Sequence, residues 1–593
     1  MSTTRPRTPA VSARPAVRRH DRPPIGRREA TTVIGLTLAF GLVLALWAYV
    51  NPSLHGPDEL ANVDAVIHLA MGQGWPPAGD LHYLQGLLAQ NVPVHLPAAT
   101  DRPDFATIVG DGSENPLVNP MSQHPPTWFL VQAVVAHLLD FAGRRWDIVV
   151  LGMRLVDVVV MLPVPALVWA SVRRATGSPR TAVAAAATLL AVPQLAQLGS
   201  SVSVWVPVIT AGVLATWLAV RVLTGDRSWW TALALGGALA VGTAMMAGGA
   251  IAVPSALLAV VVARNGSGPR GRLLRALVVL AVPAVTTGWW YVTKAVQTGT
   301  PQPDPFPAVS MSWPAHESPA PTQFAGAFWN GMSNSFWGLL GRYEWPLSAV
   351  LVDSFTVIAL TALVWGLSRR TVDRRTVLVA AAFPVTALVV VLARDWATYA
   401  SHLGVTVNQG RFLFPALAAL LVAQACAWRA LVERDVVRVR LARSVVVVAP
   451  LVAVAALGLL YSGSYEELVF RVSVAGRQTL AGSLPYGLRP LAALVAAVAV
   501  VGLVTLVLAW GVVGRRRPQR AVTASAGTVA AGTASTVGAD DTVAAHPADP
   551  GSQHVSAAEH DDPAADRSEH DGPAEHDGPT DPTHHDDPDH GDR

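Results

Sequence analysis

Residues 31–59 read TTVIGLTLAFGLVLALWAYVNPSLHGPDE. The stretch 31–50 is uncharged and apolar, and it matches the roughly 20 residues needed to cross a ~30 Å hydrocarbon core. It is long for a secretory signal, and no small-residue cleavage site follows it, so it reads as a retained first span. Just beyond it the chain turns polar, and an acid pair, Asp58 and Glu59, follows Gly56 and Pro57. A membrane span that ends in two carboxylates sets the frame for the rest of the chain.

The whole sequence fits that frame. Its 593 residues are 51% hydrophobic and only 14% charged, against about 25% charged in soluble chains. So little charge cannot cover a globular surface. Further apolar stretches fall near 148–171, 181–199, 204–222, 229–247, 249–263, 275–293, 346–367, 376–393, 412–430, 443–462 and 489–513. The expected fold is therefore an all-α polytopic membrane protein with about 12 transmembrane helices. The apolar stretch 127–140 is short for a span and suits an interfacial or re-entrant helix.

Charge orients the chain. Of the 43 basic residues, 30 lie in the N-terminal arm and in 172–180, 221–227, 264–275, 369–375, 429–443 and 515–520. If 127–140 does not cross, all of these share one side, and the positive-inside bias makes that side cytoplasmic. Both termini are then cytoplasmic. Residues 1–30, rich in Pro and Arg, read as a disordered basic arm, and 31–513 form the membrane domain. Its long extracytoplasmic segments are 51–147, 294–345 and 463–488, with a shorter one at 394–411. Residues 514–593 read as a disordered cytoplasmic tail, acidic and His/Asp-rich from 540. The single Cys426 excludes an intrachain disulfide and a cysteine metal cluster. No phosphate loop, dinucleotide glycine pattern, zinc helix or nucleophile elbow is present.

Chemistry should sit on the long outer segments. Pro57 can open a helix whose positive end favours Asp58 and Glu59. One carboxylate could take a proton from an acceptor hydroxyl. The other could orient it, or the pair could ligate a divalent cation, Mg or Mn. From Asn62 to Gly72 the chain reads as an amphipathic membrane-surface helix, with Val63, Ile67 and Ala70 toward lipid and Asp64 and His68 on the polar face. His124 precedes Pro125, Pro126 and the short 127–140 helix, as a turn residue or a phosphate contact. Arg154 and Asp157 share one face of the second span, either as a self-satisfied pair or as a lipid-phosphate site. Gln409-Gly410-Arg411-Phe412 opens the tenth span, where Arg411 offers a planar fork suited to phosphate. Trp337 and Trp345, in Ser335-Phe336-Trp337-Gly338 and Arg342-Tyr343-Glu344-Trp345, are membrane-belt anchors or substrate-facing aromatics.

Taken in order, these strings resemble the GT-C superfamily of integral-membrane glycosyltransferases. Within it, Pro57-Asp58-Glu59, His124-Pro125-Pro126, Ser335-Phe336-Trp337-Gly338 and Gln409-Gly410-Arg411-Phe412 are similar to the bacterial membrane family called domain of unknown function 2142. The resemblance covers roughly 31–513. It implies an enzyme of the bacterial cytoplasmic membrane that moves a sugar from a polyprenyl-phosphate donor to an envelope glycan, lipid or protein acceptor outside the cytoplasm, with no nucleic-acid partner. By that resemblance Asp58 is the catalytic base and Glu59 its partner. Arg411 and Arg154 hold the lipid phosphate, and His124 and Gln409 are accessory contacts. Two departures stand out: Asn62 replaces a family His, and the turn at 199–206 is Ser-rich and lacks an acid. The other readings are a lipid-linked glycan flippase and a non-catalytic scaffold of envelope assembly.

Overall fold

The computed structural model describes residues 24–515, apart from 92–96, 98, 111, 264–265, 267, 307–317, 370–372 and 403–408. Most of the arm and nearly all of the tail lie outside the described residues. The first helix starts at Arg27, inside the stretch read as arm.

Among the described residues eight helices are long and apolar enough to cross a membrane: Arg27–Val50, Trp146–Thr176, Trp205–Leu223, Ala349–Ser368, Arg374–Ser401, Gly410–Leu431, Asp435–Tyr465 and Leu488–Gly514. A ninth candidate, Pro269–Thr286 with Gly288–Thr298, is bent by 58°. The remaining three of the twelve expected stretches are helical but short. Pro193 follows a 3-10 turn at Thr188–Ala191 and interrupts 181–199, because proline offers no N–H to continue the ladder. The Gly248-Gly249 pair sits in a second 3-10 turn, Ala247–Ala252, which separates Trp229–Met245 from Val253–Val262. The fold is not purely helical. Two small antiparallel ribbons pair His82–Leu84 with Glu114–Val118 and Leu339–Leu340 with Trp345–Pro346.

Polar contacts divide the loops into two groups. Glu29, in the first turn of the first helix, pairs with Arg173 at 2.7 Å, near the end of the Trp146–Thr176 helix. Those two ends therefore share a side. If the first helix and the Trp146–Thr176 helix each cross once, the intervening 127–138 helix does not cross. Arg429 donates to the Thr176 carbonyl at 2.7 Å. Arg180 donates to the Val513 and Arg515 carbonyls, both at 2.8 Å. On the other side Gln302 donates to Gln123 (3.0 Å), Arg342 to the Asn91 carbonyl (3.2 Å) and Tyr343 to Gln409 (3.0 Å). Arg102 and Arg145 converge on Asp147 and reach the carbonyls of Ser483 (3.1 Å) and Pro485 (2.9 Å). The four segments read as outer loops thus meet on one face.

Two helices of the segment 51–147 differ from each other. Thr127–Leu138 buries Trp128, Phe129, Gln132 and Ala133 and exposes Leu130, Val131, Val134 and Leu138. That is the one-sided apolar face expected of a helix at a membrane boundary. Glu59–Ala70 does not lie on a surface. Val63, Ile67, Asp64 and His68 are all buried, so both of its faces are covered. Its polar side is satisfied internally: Asp64 accepts from the Leu84 amide (2.9 Å) and Asn119 (2.7 Å), and His68 bonds Gln73 and the His82 carbonyl. The helix is a buried prop under the ribbon, not an amphipathic raft.

Candidate functional site

The two neighbouring acids have different fates. Asp58 caps the Glu59–Ala70 helix in the left-handed region, φ 56°, a conformation that Asp tolerates better than most residues. That backbone turns its carboxylate away from the one that follows. Glu59 is fully buried, and each of its oxygens accepts two hydrogen bonds. Oε1 takes Arg154 Nε (2.6 Å) and the Val202 amide (3.0 Å); Oε2 takes Arg154 Nη2 (2.6 Å) and the Gly56 amide (3.0 Å). Burial alone would raise its pKa, but Arg154 and the two amides overcome it and hold the carboxyl below the usual range.

Arg154 is consumed by this arrangement. Its remaining N–H groups go to the carbonyls of Ala48 (2.8 Å), Asn51 (2.7 Å) and Pro52 (2.8 Å). All five guanidinium donors are used, so Arg154 ties the end of the first span to the acid turn and has none left for a lipid phosphate. Nor does it pair with Asp157, which accepts from the Ser203 amide at 3.1 Å. The Ser-rich turn is part of the same bracket. Asn62 accepts from the Val204 amide (3.2 Å) and donates to the Asp58 carbonyl (2.7 Å). A Cβ on Gly56 would strike the Ser201 side chain, so that position needs glycine.

Asp58 faces outward. Its side chain is 35% exposed, and its Oδ2 lies 2.6 Å from Nη1 of Arg411, which is only 6% exposed. Arg411 lies among three rings, with its guanidinium carbon 5.6 Å from the centres of Trp205 and Tyr343 and 5.9 Å from Phe412. Its Nε is buried without a partner. The turn carrying it is held from below. The Gly410 amide donates to Ser335 Oγ at 2.7 Å, and Ser335 in turn donates to the Gly331 carbonyl. Tyr343, also in the left-handed region, donates to Gln409 at 3.0 Å. Burial pushes the phenol pKa up; Arg411 opposes and Asp58 adds to the rise.

His124 is on the same wall. Its carbonyl accepts from Trp75 at 3.0 Å, its ring is buried, and Nδ1 has no partner. Burial pushes its pKa down to about 4; Asp58 opposes, and Arg411 and Arg394 assist. The ring is neutral at physiological pH. His55 is likewise neutral, pushed down to about 4 by burial and Arg342.

Of the residues named from the sequence, Asp58 pairs with Arg411, Tyr343 links Gln409 to the same turn, and the charges of Asp58 and Arg411 bear on His124; the other four make different contacts. Glu59 and Arg154 are locked together. Trp337 donates to Thr356 at 2.8 Å and packs on Phe355, and Trp345 is buried against Gly463, so both are packing residues. The rings beside the charged pair are Trp205, Tyr343 and Phe412. Tyr343 sat in a quoted string, but interfacial aromatics read first as belt anchors. A divalent cation does not fit the acid pair, because the Glu59 oxygens are already fully bonded. Among the described residues no group of three His, Cys, Asp or Glu is placed to hold a metal.

With that geometry in hand, the comparisons with known proteins are these. The family described as Dolichyl-phosphate-mannose-protein mannosyltransferase matches residues 123–290. Among solved structures the chain is similar to ArnT from Cupriavidus metallidurans in the apo state, at 18% identity and TM-score 0.41, over 82% of this chain and 78% of that one. It is also similar to the S. cerevisiae protein O-mannosyltransferase complex bound to the sugar donor, at 14% identity and TM-score 0.31, over 47% of this chain and 35% of that one. A third is the archaeal oligosaccharyltransferase AglB from Archaeoglobus fulgidus with an inhibitory peptide and a dolichol-phosphate, at 13% identity and TM-score 0.35, over 82% and 56%. No curated protein matches the chain.

Proposed function

We propose that this chain is a GT-C-type membrane glycosyltransferase, which takes a sugar from a polyprenyl-phosphate donor and passes it to an extracytoplasmic envelope acceptor. The observation that carries the reading is the Asp58–Arg411 pair: a part-exposed carboxylate held 2.6 Å from a buried guanidinium at the outer end of a span. Asp58 takes the proton of an acceptor hydroxyl as its oxygen attacks the anomeric carbon. The electron pair of the broken sugar–phosphate bond leaves with the lipid phosphate, whose growing charge Arg411 offsets. Neutral His124 and Gln409 flank that charge as hydrogen-bonding groups. Glu59 and Arg154 hold the turn in shape and take no part in proton transfer.

The accompanying topology has twelve crossings, with 179–198, 229–245 and 247–262 as broken or short ones. The Arg-bearing loops and both termini face the cytoplasm of a bacterial cell, and the site faces outward. The arm and the acidic tail are cytoplasmic in this reading. Affiliation with domain of unknown function 2142 is its finest level and rests on the four sequence strings alone.

Cells carrying Asp58→Asn as the sole copy test it. They should retain the protein in the membrane, accumulate a polyprenyl-phosphate sugar and lose one envelope glycan, as read by mass spectrometry of extracted lipids and envelope. An unchanged lipid and glycan profile would remove Asp58 from the chemistry.

A further inference from the structure

Arg411 has its charge already matched by Asp58, and a buried, matched guanidinium is a poor first landing point for a lipid phosphate. A second cation stands on the same side of the molecule. The stretch 376–393 carries no charge, and Arg394 ends it. At 1.5 Å per helical residue, Arg394 lies about 30 Å along the axis from Arg374, one hydrocarbon thickness. With Arg374 and Arg375 at one boundary, Arg394 sits at the other, at the depth of lipid phosphates.

Three observations connect it to the candidate site. The Arg374–His402 helix packs against the Gly410–Ala416 turn that carries Arg411. The charge of Arg394 bears on the buried His124 ring together with those of Asp58 and Arg411. Arg394 is exposed, and among the described residues its guanidinium makes no ion pair or hydrogen bond, while the adjacent Asp395 is buried. Two buried nitrogens of the candidate site have no partner, His124 Nδ1 and Arg411 Nε. A phosphate monoester or diester, with several acceptor oxygens, is the chemistry that satisfies such a set.

We infer that Arg394 receives the phosphate of a membrane lipid at the mouth of the site and hands it toward His124 and Arg411. This deepens the function proposed above and rests on it for the identity of the lipid. Two sources share the chemistry, a polyprenyl monophosphate and an ordinary phospholipid headgroup, and binding measurements separate them.

The test uses purified full-length protein in nanodiscs, with undecaprenyl phosphate, undecaprenol and phosphatidylglycerol as probes and native mass spectrometry as readout. Wild type should bind undecaprenyl phosphate in preference to the other two. Arg394→Gln should weaken that binding about tenfold or more, Arg394→Lys should weaken it less, and undecaprenol binding should not change. Equal binding of undecaprenyl phosphate by wild type and Arg394→Gln overturns the inference and leaves the Asp58 reading standing. Full competition by phosphatidylglycerol also overturns it, reducing Arg394 to a headgroup contact. Failure of wild type to bind undecaprenyl phosphate would instead sink the donor class itself.

Discussion

Asp58 and Glu59 are adjacent in sequence and opposite in use, and the difference comes from one backbone conformation. The left-handed turn at Asp58 sends its carboxylate toward Arg411, while Glu59 continues the helix into Arg154. A buried pair that loses one partner leaves the other charge uncompensated, at about 3–5 kcal/mol. Glu59→Gln should therefore lower thermal stability in detergent by that order, whereas Asp58→Asn should lower it less, because the Asp58 carboxylate is part-exposed and water can reach its side of the pair. Equal effects would mean that the two acids share a structural role. His124 gives a second prediction. Its folded pKa, about 4, lies below the free value of 6.5, so it favours the folded state above pH 6.5 and that contribution is lost as pH falls toward 4. Asp64, raised to about 6 by burial, acts with the opposite sign over part of that window. Comparison with His124→Gln isolates the ring: the variant should lose less melting temperature than wild type between pH 7 and pH 4.5.

At the scale of elements, the site is a meeting of turns, and this limits what sequence can reveal. Eight candidate spans, and a ninth if the bent pair is one, were legible as apolar runs, whereas the stretches 181–199, 229–247 and 249–263 are broken or short among the described residues. Asp58, His124, Gln409 and Arg411 were legible as polar residues at the membrane edge. Their contact was not, since it depends on packing between segments more than 280 positions apart in the chain. Arg154 misled for a related reason: Asp157 is its neighbour along the helix, but Glu59 reaches it from another segment. The Glu59–Ala70 helix misled because alternating polar and apolar residues look the same whether the polar side meets water or a ribbon that satisfies it. Gly410 shows how tightly the turns fit. A Cβ there would meet the Met332 carbonyl and the Phe336 backbone. Overpacking of that kind costs about 1–3 kcal/mol. Gly410→Ala should show that loss in thermal denaturation and weaken undecaprenyl phosphate binding through displacement of Arg411.

At the scale of the molecule, the two families of loop contacts divide the protein into a basic side and a side that carries the site. The Glu29–Arg173 pair brings the start of the first helix to the end of the Trp146–Thr176 helix, as the proposed topology requires. Sidedness is open to direct measurement in a background where half-buried Cys426 is replaced by Ala. Asp101→Cys in intact cells should react with a membrane-impermeant maleimide. Glu433→Cys should react only after permeabilisation. Labelling of both from outside would contradict the topology.

The central claim is that Asp58 is the base of a sugar transfer, and purified protein in nanodiscs tests it most directly. A mixture of polyprenyl-phosphate sugars is supplied with envelope acceptors, and single-turnover transfer is compared between wild type and Asp58→Asn. The account predicts transfer by wild type and a fall of about 10²–10⁴-fold in the variant. Transfer by Asp58→Asn at the wild-type rate would contradict it.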